Sequence, residues 1–314
     1  MTHLTAGDIS PLYSMAESTY GTPSSSARNY YADLKGEGGS FTPTDDPNMH
    51  VAWRNNSRAY NMADYVATSH DAGYTDVLEC RDGTNWYDIL KYATSSEGTT
   101  EGTPRLNSRT TDLLVKTEAG WEHLTYYGCK TDRLEIRADQ PGGIVEFDET
   151  VMAALAIVTT SQSRPSYDPP SAQIEALPAV QWVGGVTMGS STIYPQNFRL
   201  SINNNLGRVR GWNATEGKAG TVGLTEGRLE MEFQMDVWME DLAEIDATTR
   251  IEDGVDGAQT IHLTLGINNP VTVTIYGSLM FDGQHHSLVQ DKQMETVRYR
   301  VESITFATPA ATQA

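Results

Sequence analysis

Between Gly227 and Val237 the chain alternates without a break, with Leu229, Met231, Phe233, Met235 and Val237 set against Glu230, Glu232, Gln234 and Asp236. Successive side chains of a strand point to opposite faces, so this pattern specifies a strand with one buried and one solvated face. It also fixes the register, because a slip of one residue would bury four polar side chains. A second strand of this kind sets Phe198, Leu200 and Ile202 against Arg199 and Ser201, then runs into Asn203, Asn204 and Asn205. Asparagine tolerates positive φ, so the run predicts a turn or bulge where the strand ends.

The same reading extends along the chain. Residues 1–60 are rich in Ser, Thr, Gly, Pro and Asp and read as an arm with short extended pieces rather than a compact core. A first unit follows over 61–160. Trp86, Ile89, Leu90 and Ala93 predict a helix over 85–94, and strands follow at Leu113–Val115, 124–127, 134–138 and 145–151. The stretch 161–178 carries Pro165, Pro169, Pro170 and Pro178 and reads as a linker. A second unit spans 179–308, before a tail over 309–314. It opens with strands near 180–183 and 186–188, contains the two strands described first with a Gly-rich excursion (207–227) between them, and continues with a helix over 239–250. Further strands follow at 261–267, 271–275, 279–281 and 297–301, where the shift of apolar phase to Ile304 and Phe306 marks a bulge. Both halves thus read as a helix followed by four strands, offset by about 150 residues.

With 314 residues, two domains are expected, each able to bury a core. The formal charge is −19, from 41 acidic and 22 basic residues, the latter comprising 16 Arg and 6 Lys. Tight nucleic-acid binding needs clustered cations to neutralise phosphates, so this balance argues against it. Strong acidity with few lysines also suits a halophilic source. Cys80 and Cys129 are too few for a disulfide framework and predict two buried thiols. The start, Met1 to Asp8, has neither a basic region nor an apolar run, so no secretory signal is expected, and no stretch reaches the ~18 apolar residues of a membrane span. The sequons at Asn55 and Asn213 are therefore read as chance matches.

Catalytic and metal patterns fail on their spacing. His285 and His286 are adjacent, so on a strand they point to opposite faces. Asp253 to Gly257 lacks the alternating oxygens and closing Glu of a calcium loop. Gly36 to Ser40 has neither a preceding apolar strand nor a following Lys-Ser or Lys-Thr. No Gly-x-Ser-x-Gly elbow exists. No catalytic residue, metal or cofactor is expected. Glu230 and Glu232 could in principle serve glycoside hydrolysis, but they read more simply as the outward face of one strand.

Tyr126-Tyr127-Gly128-Cys129-Lys130, followed by Thr131 to Ile136, resembles a stretch in the first half of the tail tube proteins of long-tailed bacterial and archaeal viruses. Asn197 to Leu206, with Gly227-Arg228-Leu229-Glu230-Met231-Glu232-Phe233, resembles their second-half pairing of an Asn-rich strand with a Gly-Arg-led strand. The resemblance covers most of 20–306. It implies a mainly β fold with a few short helices, made of two tail-tube-like β-sandwich or barrel units, each with a flanking α-helix. It implies a virion protein that self-assembles into stacked rings around a channel for viral DNA, alongside tape measure, terminator and baseplate proteins, with no membrane insertion. Two similar units per chain predict a trimeric ring with pseudo-sixfold symmetry, against a hexamer of single units. Candidate assembly contacts are Asn203, Asn204, Asn205, Gly227 and Arg228. Candidate channel-facing residues are Glu230, Glu232 and Asp236, whose carboxylates would repel DNA phosphates.

Two other classes compete. One is another virion component: a tail terminator, baseplate hub or capsid decoration protein. The other is a carbohydrate-binding or hydrolysing β-sandwich, with Trp121, Tyr126 and Trp212 as stacking platforms.

Overall fold

The computed structural model describes residues 4–22, 28–34, 41–51, 65–81, 86–94, 106–117, 120–159, 167–168, 179–188, 191–213, 218–238, 258–267, 270–279 and 294–306. The chain is mainly β, with one helix among the described residues. The first half holds β1 (Leu4–Ala16), β2 (Arg28–Leu34), β3 (Thr42–Val51), β4 (Tyr65–Glu79), α1 (Tyr87–Thr94), β5 (Arg109–Thr117), β6 (Gly120–Ala138), β7 (Glu146–Ala153) and β8 (Leu155–Thr159). A two-residue β9 (Tyr167–Asp168) lies within the expected linker. The second half holds β10 (Trp182–Met188), β11 (Ser191–Ile193), β12 (Asn197–Asn203), β13 (Gly207–Asn213), β14 (Lys218–Thr225), β15 (Glu230–Trp238), β16 (Ala258–Leu265), β17 (Val271–Leu279) and β18 (Met294–Phe306).

One large antiparallel sheet runs β3–β4–β7–β6–β12–β15–β18–β17–β16–β10–β11. It curls on itself. The chain just before β10 returns to the ends of β4 and β7, where Val180 N–H donates to Cys80 O (2.7 Å) and Val145 N–H to Val180 O (2.8 Å). Among the described residues the ladder pairing across that gap is limited to isolated bridges, Arg81 to Ala179 and Ile144 to Gln181, so the sheet stops short of a closed barrel. A second sheet, β9–β2–β1–β5–β6–β8, lies against the first through shared β6.

The 19-residue β6 serves both sheets. Its first half pairs with β5 and β8, and from Lys130 onward it pairs with β7 and then β12. The change of direction occurs at Gly128, which has φ +63°. A side chain there would meet Ala154 Cβ at 2.9 Å and the Tyr20 ring at 3.0 Å, and the Gly128 N–H donates to Glu17 Oε1 (2.8 Å). Glycine is required because positive φ and this close approach both exclude a Cβ.

The two strands that most constrain the sequence pair with each other over seven residues, from Asn197–Asp236 to Asn203–Glu230. Phe198, Leu200, Ile202, Met231, Phe233, Met235 and Val237 are buried. Helix α1 buries Ile89, Leu90 and Ala93 and begins two residues after the expected start. The bulge expected before Ile304 is present, as a register shift of β18 against β17. Cys80 and Cys129 are free and buried, and burial pushes the Cys129 thiol far up.

Three findings differ from expectation. The strands expected at 124–127 and 134–138 are one continuous strand, because Gly128 redirects the chain without ending the ladder. Leu12, Tyr13, Tyr31 and Ala32 of the presumed arm are buried, although adjacent apolar residues such as Leu12-Tyr13 and Tyr31-Ala32 give no period-two signal. Finally, the larger of two apolar clusters among the described residues runs from Leu12 to Phe306 and draws on both halves. The six-residue β6–β12 ladder joins them, with Leu134 and Ile136 opposite Ile202 and Leu200. The expected helix over 239–250, His285, His286, Asp253 to Gly257 and Gly36 to Ser40 lie outside the described residues. Among the described residues, no helix is long and apolar enough to cross a membrane, and no group of three His, Cys, Asp or Glu could hold a metal ion.

Candidate functional site

Because β6, β12, β15 and β18 are in register, their outward residues fall into rows. Arg133, Asn203 and Glu230 form one row, and Glu135, Ser201, Glu232 and Arg300 the next. Arg137, Arg199, Gln234 and Arg298 form the third, and Asn197, Asp236 and Thr296 part of the fourth. Glu230, Glu232 and Asp236 therefore share one outward face, as their alternation requires. That face is not the acidic wall expected from β15 alone, since Arg133, Arg137, Arg199, Arg298 and Arg300 interleave with the carboxylates. The signal lay in the sequence: Arg133 and Arg137 alternate with Leu134 and Ile136, and Arg298 and Arg300 with Val297 and Tyr299. The missing information was which strands stand beside β15.

Glu135 organises the face. Its residue is 4% exposed, and it accepts from Arg133 (3.1 Å), from Arg137 (3.5 Å) and, in a very short contact, from Arg199. Arg137 also pairs with Glu146 at 3.0 Å. Asp236 accepts from Asn197 Nδ2 (2.7 Å) and Thr296 Oγ1 (2.5 Å). Between the strands lies a cavity of about 270 Å³ lined by Arg133, Arg199, Ser201, Glu232, Gln234 and Arg298.

The asparagine turn sits at the end of the β12–β15 pair. Asn205 has φ +49° and is exposed; its Nδ2 donates to Arg228 O (2.8 Å) and its N–H to Asn203 Oδ1 (3.1 Å). Gly227 N–H donates to Asn204 O (3.1 Å), and a Cβ on Gly227 would collide with Asn205 O. Asn204 is a different case. It is 5% exposed, and its Nδ2 donates to Ala93 O at the end of α1 (3.0 Å) and Thr131 O in β6 (2.9 Å). The Nδ2 group of Asn204 is thus engaged inside the subunit. From this turn the Gly-rich excursion emerges as the two-stranded ribbon β13–β14. Arg208 anchors it to Ala72 O (2.7 Å) and Ala153 O (2.9 Å), and Arg210 pairs with Asp71 (2.6 Å).

A second ionic group, which sequence reasoning missed, lies inside. Arg109 and Glu149 are both 0% exposed and meet at 2.8 Å through both carboxylate oxygens. Thr131 Oγ1 donates to Glu149 (2.5 Å), and the guanidinium lies 4.8 Å from the Tyr31 ring centroid and 4.6 Å from that of Tyr92. Asp76 stands directly across from Glu149 in the β4–β7 ladder, fully buried, with no hydrogen bond to either carboxyl oxygen among the described residues. Burial, and then the Glu149 charge, hold its pKa well above the ordinary carboxylate range, against the pull of Arg109.

The chain matches the phage tail tube protein family over residues 7–307. It belongs to that family. No curated protein matches it.

As a tail tube protein it is a structural component of the virion tail that assembles with further copies and other virion proteins into a tube. The carbohydrate reading loses its footing in the same geometry. Tyr126 is 1% exposed and packs against Phe41 and Tyr74, so it offers no stacking face. Trp212 is 71% exposed on the ribbon, and the side chain of Trp121 lies outside the described residues. Among the described residues Glu232 is the one carboxylate at the open cavity, where glycoside hydrolysis needs two flanking the bond.

Proposed function

We propose that three copies of this tail tube protein close a ring with pseudo-sixfold symmetry, that rings stack into a tube, and that the β6–β12–β15–β18 face lines a channel for viral DNA. The observation that supports this reading most is the in-register polar face itself, with four strands presenting charged and amide side chains above a continuous apolar layer. Ring closure would pair the open sheet edges of each copy with those of its neighbours, removing an aggregation hazard. The role is structural, with no catalysis of its own, and assembly takes place in the host cytoplasm with tape measure, terminator and baseplate proteins as partners.

Most carboxylates and arginines on this face are partnered, so the wall would present a patterned surface of low net charge. Its field would reach about 8 Å at physiological salt, a near-wall effect. The exposed turn at Asn205, Gly227 and Arg228, with the β13–β14 ribbon carrying Val209, Trp212 and Val222 at 41%, 71% and 43% exposure, is assigned to subunit contacts. Mass measurement of an isolated ring, with symmetry in averaged tube images, tests the assembly; a true sixfold ring of six chains would exclude the trimer. Replacing Glu230, Glu232 and Asp236 by Lys should slow DNA delivery from intact tubes, and unchanged delivery would count against the channel assignment.

A further inference from the structure

The arginines around the cavity on this face outnumber the carboxylates that serve them. Arg133 and Arg199 share Glu135, on which Arg137 also leans. Among the described residues Arg298 pairs with Glu232, at 4.0 Å. Three guanidiniums thus face two carboxylates within a chain whose net charge is −19. Their side chains are 51%, 48% and 47% exposed for Arg133, Arg199 and Arg298, so the stems pack while the heads remain open to a ligand. Ser201 and Gln234 add neutral donors to the same cavity. Glu135, nearly buried beneath, holds two of the guanidiniums in place, which reduces the ordering cost of binding. A planar guanidinium fork matches a tetrahedral oxyanion in two-point contact.

We propose that this cavity is a docking site for phosphate oxygens of the DNA backbone, so that the channel wall touches its cargo through discrete weak contacts. The proposal rests on the reading that this face lines the channel. Nothing in the cavity reads bases, so binding is independent of sequence, and the surrounding acidic surface keeps it weak.

The test is fluorescence anisotropy of a labelled 20-base-pair duplex against dilute, unassembled full-length protein over a range of salt. Each lost phosphate contact lowers the slope of log K against log salt by about 1. Arg298→Gln and Arg199→Gln should each show that fall, whereas Arg210→Gln, which removes an arginine charge from the ribbon, should keep the wild-type slope. Thermal melts confirm folding, and Arg133→Gln replaces any variant that fails to fold. A wild-type slope in the cavity variants, or an equal fall in Arg210→Gln, overturns the site. Displacement of the duplex by an acidic peptide at equal or lower concentration also overturns it, reassigning the cavity to a protein carboxylate. The channel reading fails separately, through thiol labelling of Glu232→Cys in assembled tubes: a bulky reagent reaching that position would leave a phosphate site that is not in the channel.

Discussion

Two arginine–carboxylate clusters flank the same stretch of β6, and solvent separates their roles. Inside, Arg109 meets both oxygens of Glu149, lies beside two tyrosine rings and is fully buried. Outside, Glu135 gathers three partly exposed arginines whose positive charge it cannot balance. The inner cluster joins β5, β6 and β7 and seats Tyr31 of β2 beside them, so it specifies how the N-terminal strands dock. The outer cluster keeps its guanidinium heads in water, where ion pairs contribute little to stability and remain available to a partner. A β-bulge in β6 between Thr131 and Arg133 divides them: Thr131 points in beside Glu149, and past the bulge Arg133 points out.

Breaking the inner cluster should have the largest effect. Arg109→Met would leave Glu149 buried without its cation and beside Asp76, at a cost of about 3–5 kcal/mol in denaturant unfolding. A loss below about 1 kcal/mol would show that water reaches the cluster. Gly128→Ala strikes the bend that delivers β6 from one sheet to the other; a non-glycine residue held at that positive φ costs on the order of 1–3 kcal/mol, before its clash with Ala154. Asn204→Ala should destabilise the monomer by about 1–3 kcal/mol, since it orphans the Ala93 and Thr131 carbonyls. Asn205→Ala should act mainly on tube formation, seen by light scattering; normal polymerisation would reduce that residue to a local turn.

Asp76 sharpens the comparison through pH. A carboxyl whose folded pKa is raised holds a proton that the unfolded chain releases. Its stabilising contribution is complete below the unfolded value near ~3.9 and is lost as pH rises through the folded value. Urea midpoints should therefore decline with rising pH, and Asp76→Asn should flatten the decline; an unchanged profile would show that Asp76 does not carry it. The smallest effect belongs to the outer cluster, where Arg133→Ala should change stability by no more than about 1 kcal/mol.

Much of this was legible from the chain. The alternation in β15 and β12 established their faces, and α1 followed from Trp86, Ile89, Leu90 and Ala93. The Tyr126 to Lys130 stretch pointed to the family, although why it contains glycine emerged only at the bend between sheets. Local patterns could not show non-local pairing. Leu12 and Tyr31 lack alternating neighbours, and what buries them is β5 together with Arg109, far along the sequence. The acidic reading of the open face failed for the same reason, since the arginines that temper it come from β6 and β18.

The central claim, that this face lines the channel, is tested most directly by thiol accessibility in assembled tubes of Glu232→Cys, with native Cys80 and Cys129 buried as a silent background. A small charged thiol reagent should react with intact tubes, while a polymer-linked maleimide should react only after the tubes are dissociated. Reaction of the bulky reagent with intact tubes, or of neither reagent, would contradict the assignment.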